Sequence, residues 1–177
     1  MSKTLEEKLG ILDTTPSSEP LQEEATEDIN QASYEQSQVF ELAKSSLDFL
    51  AGLTAPTMVK FLFPPVFIAA WNWLLSYAHK PRDFSKLALG LPRGFGKTTF
   101  IKFFIIYCIL FTSRRYIMVI SATEKHAINI ITDVCTMLAN SNIIAVFGNF
   151  TLGLSTDTQA FKVFGFRGRT IMLAEIG

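Results

Sequence analysis

Leu89-Gly90-Leu91-Pro92-Arg93-Gly94-Phe95-Gly96-Lys97-Thr98-Thr99 is the stretch that decides the fold. A short apolar run, Lys86 to Leu91 (KLALGL), suits a buried strand and leads into a proline and two glycines. Lys97 to Phe111 follows and is long enough for a helix. Strand, glycine-containing loop, Gly-Lys-Thr, then helix is the context a phosphate-binding loop requires. Gly94 and Gly96 lack Cβ atoms, so the backbone can bend and bring its N–H groups close to a polyphosphate. The start of the following helix adds partial positive charge. Lys97 can reach the β- and γ-phosphates, and the Thr98 hydroxyl can ligate Mg²⁺. Arg93 adds a cation able to grip a phosphate with two hydrogen bonds. The general pattern G-x-x-x-x-G-K-[ST] places its first glycine at 91, where this chain has leucine, with Gly90 one residue early. The competing reading is an ordinary loop with a lysine beside a helix start, and the strand-to-helix context disfavours it.

Outward from the loop, strand and helix alternate. Tyr116 to Ile120 (YIMVI) reads as a second buried strand, preceded by Arg114-Arg115. Glu124 to Leu138 is helical in pattern, with Ser121-Ala122-Thr123 as its entry and cap region. A turn-rich stretch, 140–158, precedes two strand-like runs, 160–166 and 170–174, joined by Arg167-Gly168-Arg169 in a possible hairpin. This order predicts an α/β fold with a parallel sheet and right-handed crossovers, flanked by helices. The chain stops at Gly177 directly after a strand, so the sheet is expected to be incomplete at its C-terminus.

Upstream, Phe61 to Ala78 is 18 residues without a charge, near the lower limit for a membrane span. Pro64-Pro65, Asn72 and the closing His79-Lys80-Pro81 favour instead a buried helix of about a dozen residues after Pro65. Residues 33–53 predict an amphipathic helix whose stripe is Val39, Ala43, Leu47 and Leu50, with Glu41, Lys44 and Asp48 opposite. Residues 1–32 read as a flexible acidic leader. The expected organisation is therefore leader 1–32, amphipathic helix and linker 33–57, and the loop-bearing domain 58–177.

The chain has 177 residues and a formal net charge of zero, which hides a split. Residues 1–50 carry 3 basic and 11 acidic side chains, net −8, and residues 51–177 carry 13 and 5, net +8. A polyanionic partner is thus compatible with the neutral total. Two cysteines, Cys108 and Cys135, exclude a disulfide-rich scaffold, and with two histidines they argue against a zinc site. They read as buried, reduced thiols. The acidic opening has no apolar stretch of the kind that marks a secretory signal.

A nucleotide hydrolase also needs an acid at the end of an apolar strand to hold Mg²⁺ and activate water. The acids after the loop are Glu124, Asp133, Asp157 and Glu175. Only Glu175 ends an apolar strand, and Ala174 stands where the metal-binding aspartate belongs, so Glu175 is not expected to be the base. The catalytic acids are expected to lie outside this chain. His126, at a helix start, is expected to have no chemical role.

The segment Leu91 to Thr99 resembles the variant Walker A motif of large terminase subunits, the DNA-packaging motors of tailed bacteriophages. An arginine in the loop and loss of the first glycine are common in that family. Ile120-Ser121-Ala122-Thr123-Glu124-Lys125-His126-Ala127 is similar to the family's strand and Ser-Ala-Thr segment before a long helix. Phe161 to Gly177 resembles the stretch shortly before the Walker B strand. The Trp-containing apolar helix before residue 80 sits where the family has its adenine-side segment. A glutamine often found there has no clear counterpart, since Gln38 is far upstream, so the adenine contact stays unassigned.

The resemblance covers residues 60 to 177 and implies a RecA-like P-loop NTPase fold. Walker B pair, coupling motif and nuclease are absent, so the chain resembles the front third of a terminase. It implies ATP and Mg²⁺ as ligands, bound by Pro92, Arg93, Gly94, Phe95, Gly96, Lys97, Thr98 and Thr99. Lys97 would hold the phosphates, Arg93 would sense the γ-phosphate, and Thr98 would hold the metal. The whole protein would hydrolyse ATP to drive viral DNA into a procapsid and would cut concatemeric DNA. This part would bind ATP without efficient hydrolysis. Double-stranded DNA, a small terminase subunit and a portal are the implied partners. A ring oligomer in the host cytoplasm, with no membrane, is the implied setting. Arg114 and Arg115, with Lys125, Arg167 and Arg169, are candidate DNA contacts, a solvated surface being the alternative for each. Two other readings stay open. One is a P-loop NTPase unrelated to DNA, kinase-like or partner-switching. The other is a non-catalytic nucleotide-binding fragment that docks on a partner and, alone, is marginally stable or aggregation-prone.

Overall fold

A computed structural model describes residues 34–57, 63–78 and 88–176. The chain divides into a unit of residues 1–37 and one of 38–177, and among the described residues every buried core residue belongs to the second. The acidic leader and residues 86–87 of the predicted strand lie outside the described residues; 88–91 forms no strand and none of it is buried, which corrects the expectation of a buried strand leading into the loop.

The described residues form an α/β fold with six helices and a four-stranded mixed sheet. Helix α1 (34–45) and α2 (Leu47–Thr54) occupy the predicted amphipathic segment. They are two helices because Ser46 breaks the first and caps the second, its hydroxyl accepting from Phe49 N–H at 3.2 Å. The stripe is buried as expected at Ala43, Leu47 and Leu50, while Val39 is half-buried. Helix α3 (Pro65–Ala78) starts on its proline, whose missing N–H costs nothing in a first turn. No single helix among the described residues is long and apolar enough to cross a membrane.

Helix α4 (Lys97–Phe111) is apolar almost all round and is the central helix, with nine of its fifteen residues buried. Trp71 and Phe67 of α3 pack on its Phe100, and Trp71 also meets Tyr107 edge-on. Phe40 and Phe147 close the same cluster on Phe111.

Strand β1 (Tyr116–Ile120), α5 (Glu124–Leu138), α6 (Ser141–Phe147), a 3₁₀ turn (Phe150–Gly153), β2 (Leu154–Asp157), β3 (Phe161–Phe166) and β4 (Arg169–Ile176) follow. The sheet order is β1-β4-β3-β2. Strands β1 and β4 are parallel as expected, and β3-β4 is the hairpin that the sequence offered; the antiparallel β2 at the edge makes the sheet mixed, which corrects the expectation of a parallel sheet. The hairpin follows from connection length. Arg167-Gly168 is a two-residue turn with both φ values positive (47° and 74°), so β4 must fold straight back on β3. The turn-rich stretch 140–158 also holds more structure than expected, because Asn140 caps α6 by accepting from Asn142 N–H at 2.9 Å.

The face of the sheet carrying Val119, Phe164, Ile171 and Leu173 is buried under helices, α5 foremost. The other face is not. Tyr116, Met118 and Ile120 are 76%, 59% and 72% exposed, so β1 is not the buried strand its composition suggests.

Candidate nucleotide-binding site

Residues 92–96 form an exposed turn that ends on the first residue of α4. Gly94 and Gly96 have φ of 89° and 77°, the left-handed region that side-chain-bearing residues avoid. The glycines found in the sequence are therefore required by the backbone itself. Gly96 occupies the N-cap position and has no side chain to cap the helix. The first turn of α4 contains no acid, only Lys97 and two threonines, so the positive end of the helix is neither capped nor countered by a side chain.

Lys97 folds back over its own loop. Its Nζ donates to the carbonyls of Leu91 and Pro92, the latter at 2.8 Å. The ammonium is thus held against the loop that precedes its helix, at two neutral acceptors. Arg93, Gly94 and Phe95 stand exposed around it, and Thr98 and Thr99 are half-buried in the first helical turn. Exposed backbone N–H groups, one ammonium, one guanidinium and two hydroxyls make a donor set suited to an anion bearing several oxygens. A magnesium ion arriving with such an anion has the Thr98 hydroxyl as a protein ligand. Among the described residues no group of three or more His, Cys, Asp or Glu side chains could hold a metal by itself.

The opposite end of α4 is closed by a residue that the sequence offered as a DNA contact. Arg169, first residue of β4, donates from Nη2 to Ile109 C=O at 2.6 Å and from Nη1 to Thr112 C=O. Burial first, and then the Arg167 and Arg115 charges, pull its pKa down, yet a guanidinium stays protonated at neutral pH. Arg169 therefore serves as a C-terminal cap. Arg167 is also engaged, its guanidinium lying 4.9 Å from the Phe40 ring centre. Arg114 and Arg115 stay exposed, but at the far end of α4 from the loop, about 22 Å for a fifteen-residue helix.

The clamp holds the start of β4 at the C-terminal end of α4. Of the four acids after the loop, Asp133 pairs with Lys102 and Asp157 with Lys162. Glu124 lies in the first turn of α5, where it complements the helix dipole. Glu175 differs: its Oε2 is buried with no hydrogen-bond partner among the described residues. His126 is exposed at the start of α5, where its N–H bonds the capping Thr123 hydroxyl at 3.4 Å.

Both thiols are passive. Burial pushes the Cys108 thiol up to about 11, opposed by Arg114. Burial likewise pushes the Cys135 thiol up to about 11, with Lys162 opposing and Asp157 adding. Neither carries thiolate at neutral pH. The Arg169 clamp and the Lys102–Asp133 pair were not read from the sequence. A lone lysine in a run of apolar helix was the one available signal for the latter. No family model, curated protein or solved structure matches this chain.

Proposed function

We propose that this chain binds ATP with Mg²⁺ at residues 92–99 and serves as the ATP-binding part of a phage terminase large subunit. The observation that carries nucleotide binding is Lys97, whose ammonium rests on two carbonyls of a loop turned by two left-handed glycines. A polyphosphate would replace two neutral acceptors with charged ones, which bind an ammonium more strongly. It would also supply the acceptor that the uncapped start of α4 lacks. Lys97 holds the β- and γ-phosphates and Arg93 meets the γ-phosphate. The loop backbone from Pro92 to Gly96 cradles the chain of phosphates. Thr98 holds Mg²⁺, which when bound neutralises phosphate charge, and Thr99 completes the first turn.

Support for a terminase comes from the resemblance of residues 91–99, 120–127 and 161–177. In that role the nucleotide powers the movement of double-stranded viral DNA, with a small terminase subunit and a portal as assembly partners in the host cytoplasm. Of the candidate DNA contacts, Arg114, Arg115, Lys125 and Arg167 are exposed, and Arg169 is half-buried.

The test is a titration of fluorescent ATP analogue with Mg²⁺ into the protein and into Lys97→Ala, with phosphate release measured alongside. Saturable binding that falls at least tenfold (about 1.4 kcal/mol or more) in Lys97→Ala is expected. A folded sample that binds nothing refutes the nucleotide site. Phosphate release that DNA stimulates favours the packaging motor over another P-loop NTPase. Release that Glu175→Gln abolishes makes the unpartnered Glu175 carboxylate the base.

A further inference from the structure

The groove beside β1 has a volume of about 540 Å³ and is walled by Leu74 of α3, Ile101 and Phe104 of α4, and the whole of β1. We propose that it is a docking site for a short extended segment of another polypeptide, which adds a strand to the free edge of β1.

The edge itself is the first argument. Among the described residues strand β1 is terminal in the sheet, with β4 on one side only. Met172 N–H donates to Arg115 C=O at 2.7 Å, and Ser121 N–H donates to Ile176 C=O at 3.1 Å. In a parallel ladder alternate residues of a strand bond the same neighbour. Residues 115, 117, 119 and 121 therefore face β4. Tyr116, Met118 and Ile120 turn their N–H and C=O groups to the groove, three donors and three acceptors at a regular two-residue spacing. These are also the three exposed side chains of β1. The strand itself carries no proline, no lysine and no bulge, three of the usual protections of a free edge.

The walls select the occupant. The edge is one side of a cleft whose other side is helix, so it admits a single strand but not a second sheet carrying its own helices. That disfavours a second copy of this chain pairing through β1. A strand residue takes about 160 Å³, from a 3.3 Å rise, 4.8 Å to the next strand and 10 Å of thickness. The groove volume thus fits three to four residues, matching the three pairing positions. The helical walls ask for apolar side chains. Arg114 lines the mouth at the start of β1, so an acidic flank is favoured. This is strand addition to an edge, with backbone bonds supplying affinity and apolar pockets supplying selectivity.

The probe is a fluorescein-labelled peptide, Asp-Asp-Thr-Val-Ile-Val-Thr, followed by fluorescence anisotropy with the full chain. Saturable binding is expected. Methylating alternate amide nitrogens should weaken it at least tenfold, because apolar contact survives and strand pairing does not. Met118→Pro should do the same with an unchanged thermal melt, since that N–H faces the groove and not β4. A Lys-Lys flank should bind several-fold more weakly at low salt. The proposal is overturned if the methylated peptide binds as well as the parent, or if the parent does not bind. It is also overturned if sedimentation shows a dimer that Met118→Pro dissolves. The methylated peptide reports on the wild-type protein, so the proposal stays testable even if Met118→Pro fails to fold.

Discussion

Replacing Arg169 should loosen the end of α4 that lies furthest from the 92–96 loop. Its guanidinium forks onto Ile109 C=O and Thr112 C=O, carbonyls of the last turn and cap of α4. A hydrogen bond to a charged donor contributes about 1.5–3 kcal/mol, and a cation at a helix C-terminus adds roughly 0.3–1 kcal/mol. Two such bonds would exceed 3 kcal/mol if fully buried, but Arg169 is only half-buried, so water can reach part of what the side chain leaves behind. Neighbouring Arg167 and Arg115 charges reduce the gain further. The net loss for Arg169→Ala is therefore about 2 kcal/mol, which is a fall in Tm of roughly 4–8 °C for a domain of this size. Arg169→Lys should recover less than half, because an ammonium lacks the planar fork that reaches two carbonyls at once. Urea denaturation followed by circular dichroism gives both numbers. A change below about 0.5 kcal/mol for Arg169→Ala, or full recovery by lysine, would mean that the fork contributes nothing and that β4 is anchored by its apolar face alone.

Inorganic pyrophosphate should raise the Tm of the protein and leave that of Lys97→Ala unmoved; at a hundred times its Kd the gain is about 2.7 kcal/mol. Gly153→Ala should cost about 2–3 kcal/mol by denaturant titration, because its new Cβ would stand 2.0 Å from the Gly165 carbonyl oxygen, and only backbone movement relieves that. Asp133→Ala should cost about 1–2 kcal/mol, less than for a fully buried pair, since Lys102 is buried but Asp133 is half-exposed; Lys102→Met should rescue it. Alkaline stability should fall through Cys108, whose thiol stays protonated to about 11 in the fold against 9.0 unfolded. Between those values the unfolded chain binds fewer protons, so stability drops by up to ~1.4 kcal/mol per pH unit. Cys108→Ala should flatten that slope in a pH series of melts.

Much of this architecture was legible wherever local signals were strong. Helices 97–111 and 124–138 and strand 116–120 have the bounds their sequences suggest. Each helix starts on identifiable chemistry, Gly-Lys-Thr in one case and the Thr123 cap in the other. The apolar pattern could not give strand direction. Parallel and antiparallel strands share the same two-residue alternation; the short Arg167-Gly168 link pointed to the β3-β4 hairpin, but nothing pointed to the antiparallel β2 beside it. It also could not give exposure. YIMVI has the composition of a buried strand, but burial depends on what covers both faces and both edges, and those are long-range facts. Asn140-Ser141-Asn142 read as a turn because the residues that favour turns are also those that cap helices. The loop residues were legible because backbone chemistry demands them. Glu175 was legible as a residue, but its buried Oε2, without a hydrogen-bond partner among the described residues, was not.

The helix starts supply the strongest physical contrast in the molecule. Ser46, Thr123, Asn140 and Asn149 each accept a backbone N–H at the start of the helix or turn they precede. Helix α4 begins on Gly96, with no side-chain acceptor and no acid in its first turn, yet it is among the longest and most buried helices described. Its other end is closed by Arg169. The chain thus neutralises the negative end of its central helix with a side chain and leaves the positive end to whatever the loop admits. A left-handed glycine at the cap position excludes the serine or aspartate that would otherwise fill the role. What that end lacks is an acceptor with several oxygens and negative charge. That is the chemistry of a phosphate chain, the ligand proposed for Lys97 and its loop.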